Sequence, residues 1–264
     1  MTIRPKTLAL LAGLSICVLA NPAQAQQIFG EAFYADYSDD RGERAELLLS
    51  SKFDLGAADL VVEGRAGRRE YGNDVSFDGS SARANLWIDW NDVLATRTIL
   101  GVSSDDPVYA NRRIGQEVLL RPGGGLVLTA GLRHLEYFGD VGVTSYWGGP
   151  AFYFDGGFVR YTYTRYDIDD VGETDGHLLT LRIEDRPGSR ASTQVWAGTG
   201  SSLAEDDFFV GPVIEGDQTG VAIRRVQPVS DTVDLLLGAE YRDYSTDLGD
   251  WNRTGVRVGL RVNF

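Results

Sequence analysis

The last twelve residues, Arg253-Thr-Gly-Val-Arg-Val-Gly-Leu-Arg-Val-Asn-Phe264, alternate to the final position. Thr254, Val256, Val258, Leu260, Val262 and Phe264 share one parity, and Arg253, Gly255, Arg257, Gly259, Arg261 and Asn263 the other. Successive side chains of an extended chain point to opposite sides, so this is a strand with one apolar and one charged face. Such a strand either covers a soluble core or stands between lipid and water. An apolar parity that runs out to a terminal aromatic carboxylate favours the second.

The same period of two continues upstream. From Gln27 onward, segments of about 10–14 residues alternate in this way and are separated by clusters of Gly, Asp, Asn, Pro and Ser, with no helical periodicity of useful length. Strands are expected at 27–38, 43–53, 59–70, 80–90, 94–103, 110–121, 126–138, 144–154, 157–167, 176–185, 190–200, 217–227, 232–244 and 252–264. That makes fourteen, with twelve as the alternative should the regions 140–160 and 201–220 be miscounted. The connections argue for fourteen. Those after even strands are short turns: 54–58, 91–93, Pro122-Gly-Gly-Gly125, Asp155-Gly156, Arg186-Pro-Gly-Ser189 and Pro228-Val-Ser-Asp231. Those after odd strands include the longer 71–79, 168–175, 201–216 and 245–251. Alternating short and long connections are what an up-and-down transmembrane barrel with both termini in the periplasm requires. The fold class read from the sequence is therefore all-β, a transmembrane antiparallel up-and-down β-barrel. A soluble β-sandwich is the rival.

The start of the chain is of another kind. Arg4 and Lys6 precede an apolar run from Leu8 to Ala20, and Ala23-Gln24-Ala25 fits a small-x-small cleavage pattern. We read residues 1–25 as a signal peptide cut between Ala25 and Gln26, and residues 26–264 as one barrel domain. No stretch approaches the roughly 20 apolar residues of a membrane-crossing helix. The only cysteine, Cys17, lies inside the apolar run, and the bulky Ile16 beside it disfavours lipidation there. Removing residues 1–25 takes away two of the 25 basic residues and none of the 38 acidic ones, so the barrel carries a formal charge of −15. Such a balance excludes a nucleic-acid partner, whose phosphates need a cationic footprint.

Parity also assigns faces. In the fourth strand Ala82, Ala84, Leu86, Ile88 and Trp90 oppose Arg83, Asn85, Trp87 and Asp89. In the thirteenth, Leu235, Leu237, Ala239 and Tyr241 oppose Asp234, Glu240 and Arg242. Lipid outside and a polar lumen inside is the economical reading. The inner parity then holds Glu63, Arg65 and Arg69 on the third strand, Arg83 and Asp89 on the fourth and Arg97 on the fifth. Arg113 and Glu117 follow on the sixth, Arg160 on the ninth and Arg182 and Glu184 on the tenth. Arg224 falls on the twelfth, Glu240 and Arg242 on the thirteenth, and Arg257 and Arg261 on the closing strand, where Glu31 and Glu240 are their nearest acidic candidates by parity. Lys52 is the only lysine after residue 25, so the inner cations are rigid, forked guanidiniums. Tyr37, Tyr163 and Tyr241 are expected in an outer aromatic belt, and Trp90 and Phe264 in a periplasmic one.

Two resemblances sharpen this picture. A chain closing on alternating apolar residues and Phe264 resembles the C-terminal signal of bacterial outer-membrane barrels, which implies recognition by barrel-assembly machinery. The block Gly123-Gly-Gly-Leu-Val-Leu-Thr-Ala-Gly-Leu-Arg-His-Leu-Glu-Tyr-Phe138, with Tyr153, Val159-Arg-Tyr-Thr-Tyr-Thr164, Trp196-Ala-Gly-Thr-Gly200 and the Val256 to Phe264 close, is similar to the YaiO family of outer-membrane barrels. The resemblance spans most of the chain after residue 25 and rests on glycine, aromatic and arginine positions. It implies an outer-membrane protein in contact with lipid and lipopolysaccharide, a loose connection with surface or exopolysaccharide assembly, and no established reaction. Some members carry a repeat segment ahead of the barrel, whereas Gln26 here leads almost directly into the first strand.

Signals for chemistry are weak. The two histidines, His134 and His177, have no nucleophile motif nearby, and no spaced histidine pair suits zinc. Arg121-Pro-Gly-Gly-Gly125 is followed by neither lysine nor helix and reads as a turn. The acidic run Asp167 to Asp175 lacks the full calcium-loop pattern. No catalytic, cofactor or metal residue is assigned. The sequence is read as a non-enzymatic barrel that passes or helps export small polar, anionic or saccharide material. A plugged structural or surface-interaction barrel is the alternative, and an outer-membrane hydrolase comes third.

Overall fold

The computed structural model describes residues 25–72, 75–104, 106–169, 172–200, 216–246 and 249–264. The expected signal segment 1–24 with Cys17, and the connection 201–215, lie outside the described residues. Fourteen strands form one closed antiparallel barrel. They are β1 (Ala25–Tyr37), β2 (Glu43–Asp54), β3 (Ala58–Glu70), β4 (Ser76–Asp89), β5 (Leu94–Ser103), β6 (Arg112–Gly123), β7 (Leu126–Glu136), β8 (Gly142–Phe154), β9 (Gly157–Ile168), β10 (Gly172–Glu184), β11 (Ser192–Gly200), β12 (Gly216–Pro228), β13 (Val233–Thr246) and β14 (Gly249–Asn263). Each strand pairs with its neighbours in sequence, and β14 returns to β1 in a register running from Gln27↔Asn263 to Tyr37↔Arg253. Closure matters because hydrocarbon offers no hydrogen bonds to an open strand edge.

The strand count follows from the sequence, but the connections differ. Several strands continue past their expected outer ends. β9 runs to Ile168 and β10 begins at Gly172, so most of the acidic 168–175 segment is ladder and not loop. Likewise β4 starts at Ser76, and β13 and β14 approach to Thr246 and Gly249. Cross-strand pairs such as Arg68 with Asp78 (3.8 Å) and Arg165 with Glu173 sustain pairing there by charge, where the apolar pattern has ended. On the opposite end the expected four-residue turn 186–189 widens to the seven residues between Glu184 and Ser192. The Pro122-Gly-Gly-Gly125 turn holds three successive positive φ angles, 105°, 61° and 78°, a run that only glycine adopts without strain.

Facing follows the registers. Val256, Val258 and Leu260 are half exposed on the outer wall, while Arg253 is fully buried and Arg257 and Arg261 stand inside. Tyr163, Tyr241, Trp90 and Phe264 are outward and exposed. Tyr37 is not: with 4% exposure it faces inward and packs with Phe33, Ala35, Tyr244 and Trp251 at the end remote from the termini. The expected belt position fails because the Tyr37↔Arg253 pair shares the parity of Glu31 and Arg257. Arg69 stacks 3.8 Å from the Tyr37 ring and Arg41 3.9 Å from Trp251, so this sector of the mouth is filled by rings and guanidiniums.

Candidate functional site

The lumen is built in two unlike halves. On β13, β14 and β1 to β4, inward arginines meet inward carboxylates. Glu31 accepts from Arg257 at 3.2 Å and from Arg224, three strands round the wall on β12, at 2.7 Å. Glu240 accepts from Arg253 at 2.5 Å and from Arg257 at 2.7 Å. Arg83 pairs with Glu63, and Glu46 holds Arg44 at 2.8 Å and Arg65 at 3.5 Å. The parity expectation for Arg257 matches these contacts, but Arg261 differs. It pairs with Asp234 at 2.8 Å, because the register sets those two residues directly opposite, whereas Glu31 faces Gly259 and Glu240 faces Gly255, about 7 Å and about 20 Å further along at roughly 3.3 Å per residue. Asp234 also approaches Arg190 at 3.3 Å.

The other half, β7 to β12, is different in kind. By register its inward positions hold Arg133, Arg160, Arg182 and Arg224 among Thr129, Thr162, Thr164, Thr180, Gln194 and Gln218. Among the described residues the one inward carboxylate there is Glu184, near the end that carries the termini, 3.7 Å from Arg182. Among the described residues Arg160 meets no carboxylate: it bonds the Tyr153 hydroxyl at 3.5 Å and lies 5.9 Å from the Phe158 ring. At the seam between the halves Glu117 joins Arg97 (2.9 Å) to the Trp147 indole N–H (2.9 Å), and Arg133 lies 5.4 Å from that ring. A cavity of about 580 Å³ runs between the halves and touches Arg65, Arg97, Arg160, Arg224, Glu240 and Arg257.

A segment of the wall also turns inward. The β5–β6 connection is folded against the inner faces of β2 to β4: Val108 is 1% and Tyr109 8% exposed, and the Tyr109 hydroxyl donates to Glu46 at 2.9 Å. Glycines make room. A Cβ on Gly67 would meet the Tyr109 oxygen at 2.5 Å, and one on Gly79 would meet Val108 at 2.7 Å. Arg83 and Arg113 share a smaller cavity of about 40 Å³ with this loop. Burial first, and then the charge of Glu46, hold the Tyr109 phenol well above the ordinary tyrosine pKa of about 10. A group whose folded pKa is raised supports docking fully below its unfolded value, and that support is lost as pH rises toward the folded one. Alkaline medium above about pH 10 is therefore expected to release the loop and raise single-channel conductance. Tyr109→Phe, which cannot ionise, should abolish that rise, and an identical response in both proteins would refute the link.

Ala25 opens β1 opposite Phe53, Gln26 bonds Asp54 at 3.0 Å, and the Phe264 amide donates to the Gln26 carbonyl at 3.0 Å. Both histidines face outward. His134 bonds Thr144 at 3.0 Å and His177 bonds Tyr161 at 2.8 Å beside the Tyr163 ring, so neither enters the lumen. Sequence reading passed over Arg44, Glu46, Arg133 and Trp147 as lumen residues. Their inward parity was available in the alternation. The inward path of Tyr109 was not, since loops have no period.

Residues 28–207, well over half of the chain, match the family model described as the YaiO membrane beta barrel domain. Among solved structures the barrel is similar to the CymD monoaromatic hydrocarbon channel, with a TM-score of 0.59 and 10% identity over 94% of this chain and 92% of that one. It is similar to a bacterial polysaccharide outer membrane secretin, with a TM-score of 0.55 and 10% identity over 91% and 99% of the two chains. A third likeness is to the Acinetobacter baumannii outer membrane protein Omp33, with a TM-score of 0.51 and 8% identity over 91% and 98%. At these identities the likeness is one of fold. A matched family domain that makes up most of a closed fourteen-strand barrel, lipid-facing outside and charged within, settles the affiliation: this chain belongs to the YaiO family of membrane β-barrels and resides in the bacterial outer membrane.

Proposed function

We propose that this barrel is a non-enzymatic passage for small anionic, polar or saccharide solutes across the outer membrane, working within lipopolysaccharide and delivered there by barrel-assembly machinery. The observation that carries the reading is the inner wall of β7 to β12, where arginines alternate with hydroxyl and amide side chains and carboxylates are nearly absent among the described residues. On the opposite wall carboxylates stand among the arginines and bind them, as Glu240 binds Arg257 and Asp234 binds Arg261, so the positive field in the lumen is strongest on β7 to β12 although the chain as a whole is acidic. Arg160, without a carboxylate in contact among the described residues, is the cation best placed to meet a solute.

In planar bilayers under a potassium chloride gradient, the protein is expected to give stepwise currents with a reversal potential on the anion side. Arg160→Gln combined with Arg182→Gln should move that potential toward zero by half or more. Cation preference in the unmodified protein would overturn the reading. A second reading, a plugged barrel acting through its outer surface, draws on the aromatic packing around Tyr37, Tyr244 and Trp251 and on the inward loop. Silence in the same bilayers would favour it.

A further inference from the structure

We propose that Trp147 is the stacking platform of a binding subsite for an acidic sugar, a pyranose that carries a carboxylate; the proposal rests on the anion-passage reading and names its solute class. Three features of the wall lead there. The residue opposite Trp147 in the β7–β8 register is Gly131, and a Cβ at that position would stand 2.5 Å from the indole Cε2. The bare glycine lets the ring lie against the wall, where a larger residue would lift it. The polar edge of the ring is then fixed: Nε1–H donates to Glu117 at 2.9 Å, and Glu117, 6% exposed, is itself held by Arg97 at 2.9 Å. Finally, the ring lines the 580 Å³ cavity together with Arg133, Arg160, Thr162 and Thr164. That volume falls in the range of about 300–1,000 Å³ usual for small-molecule sites.

An inorganic anion would need the guanidiniums alone. A rigid aromatic face beside them serves a ligand with an apolar side of its own, because aromatic rings gain most where flat apolar surface is covered and polar edges stay bonded. The C–H face of a pyranose has that shape. Its hydroxyls match Thr162 and Thr164 on the adjoining strand, and its carboxylate matches the fork of an arginine, for which bidentate pairing is the favoured geometry. A planar aromatic acid would stack equally well but would leave the threonine hydroxyls without ligand partners.

The test uses the full barrel folded in detergent and then inserted into planar bilayers, with glucuronate, glucose and benzoate as probes. Millimolar glucuronate is expected to interrupt the open-channel current, with glucose and benzoate at least tenfold weaker. Trp147→Ala should weaken the glucuronate effect about tenfold, and Trp147→Phe, which keeps a ring on the wall, by less. Isothermal titration of the detergent-folded proteins supplies a readout independent of conduction. A barrel that binds glucuronate through Trp147 yet carries no current would overturn the passage reading and keep this one. An anion-selective channel in which Trp147→Ala leaves glucuronate binding at the unmodified level would overturn this proposal alone. Equal block by benzoate and glucuronate would replace the sugar with an aromatic acid and also overturn it.

Discussion

Replacing Glu240 by alanine is expected to lower the unfolding free energy of the barrel by about 3–5 kcal/mol, the usual cost of removing one partner from a buried ion pair. Glu240 is 7% exposed and joins two cations on β14, Arg253 at 2.5 Å and Arg257 at 2.7 Å. Arg253 has no exposed surface at all, so water cannot replace the lost carboxylate. Its other neighbours include the Tyr37 ring at 6.0 Å, too weak a contact to offset a buried charge. Arg257 retains Glu31, so most of the loss should fall on Arg253. Urea titration read by heat-modifiable gel mobility measures the difference. Glu184→Ala, whose carboxylate lies 3.7 Å from a partly exposed Arg182, serves as the control and should cost under about 1 kcal/mol. Equal midpoints for the two variants would show that the Glu240 cluster is not structural.

Deleting Phe264 is expected to cut the amount of barrel in the outer membrane tenfold or more while leaving the stability of folded protein nearly intact. The side chain is 69% exposed at the rim, so it recovers only part of the roughly 1–3 kcal/mol that full burial of an apolar side chain contributes. The ladder of β14 extends to Asn263, which pairs with Gln27 and bonds Asp234 at 3.1 Å, and these contacts survive the deletion. A residue with so little to do in the folded barrel, at the end of an alternating strand, fits a signal that assembly machinery reads. The comparison is between cells and detergent refolding: membrane levels by immunoblot, and midpoint of unfolding for the purified protein. Unchanged levels in cells would end the assembly reading, and a midpoint lowered as far as in Glu240→Ala would make Phe264 a packing residue instead.

How much was legible depended on whether a property has a period. Strand number and inward parity repeat every two residues, and for that reason the inner placement of Arg83, Arg160 and Arg257 could be read without a structure. The same rule would have found Arg133 and Trp147 had the seventh and eighth strands been followed as closely as the fourth. Tyr37 was misread because an aromatic near a strand end suits either face, and only its register with Arg253 decides which. Strand ends beyond the apolar band were missed because charged residues such as Asp78 and Glu173, which pair across strands with Arg68 and Arg165, look like loop residues in one dimension.

By itself, then, the sequence determined the class: alternation long enough for fourteen strands, one face for lipid and one for arginine, because strand geometry ties chemistry to parity. The tertiary structure decided everything that depends on which strands meet. Closure of β14 on β1 brought Glu31 to Arg257, and curvature of the wall carried Arg224 across to the same carboxylate, 193 positions away in the chain. It also concentrated the carboxylates on one side, which left the opposite wall to arginine. And it turned Tyr109 inward onto Glu46, since a loop goes where glycines at positions 67 and 79 leave room for it, and no local pattern records that.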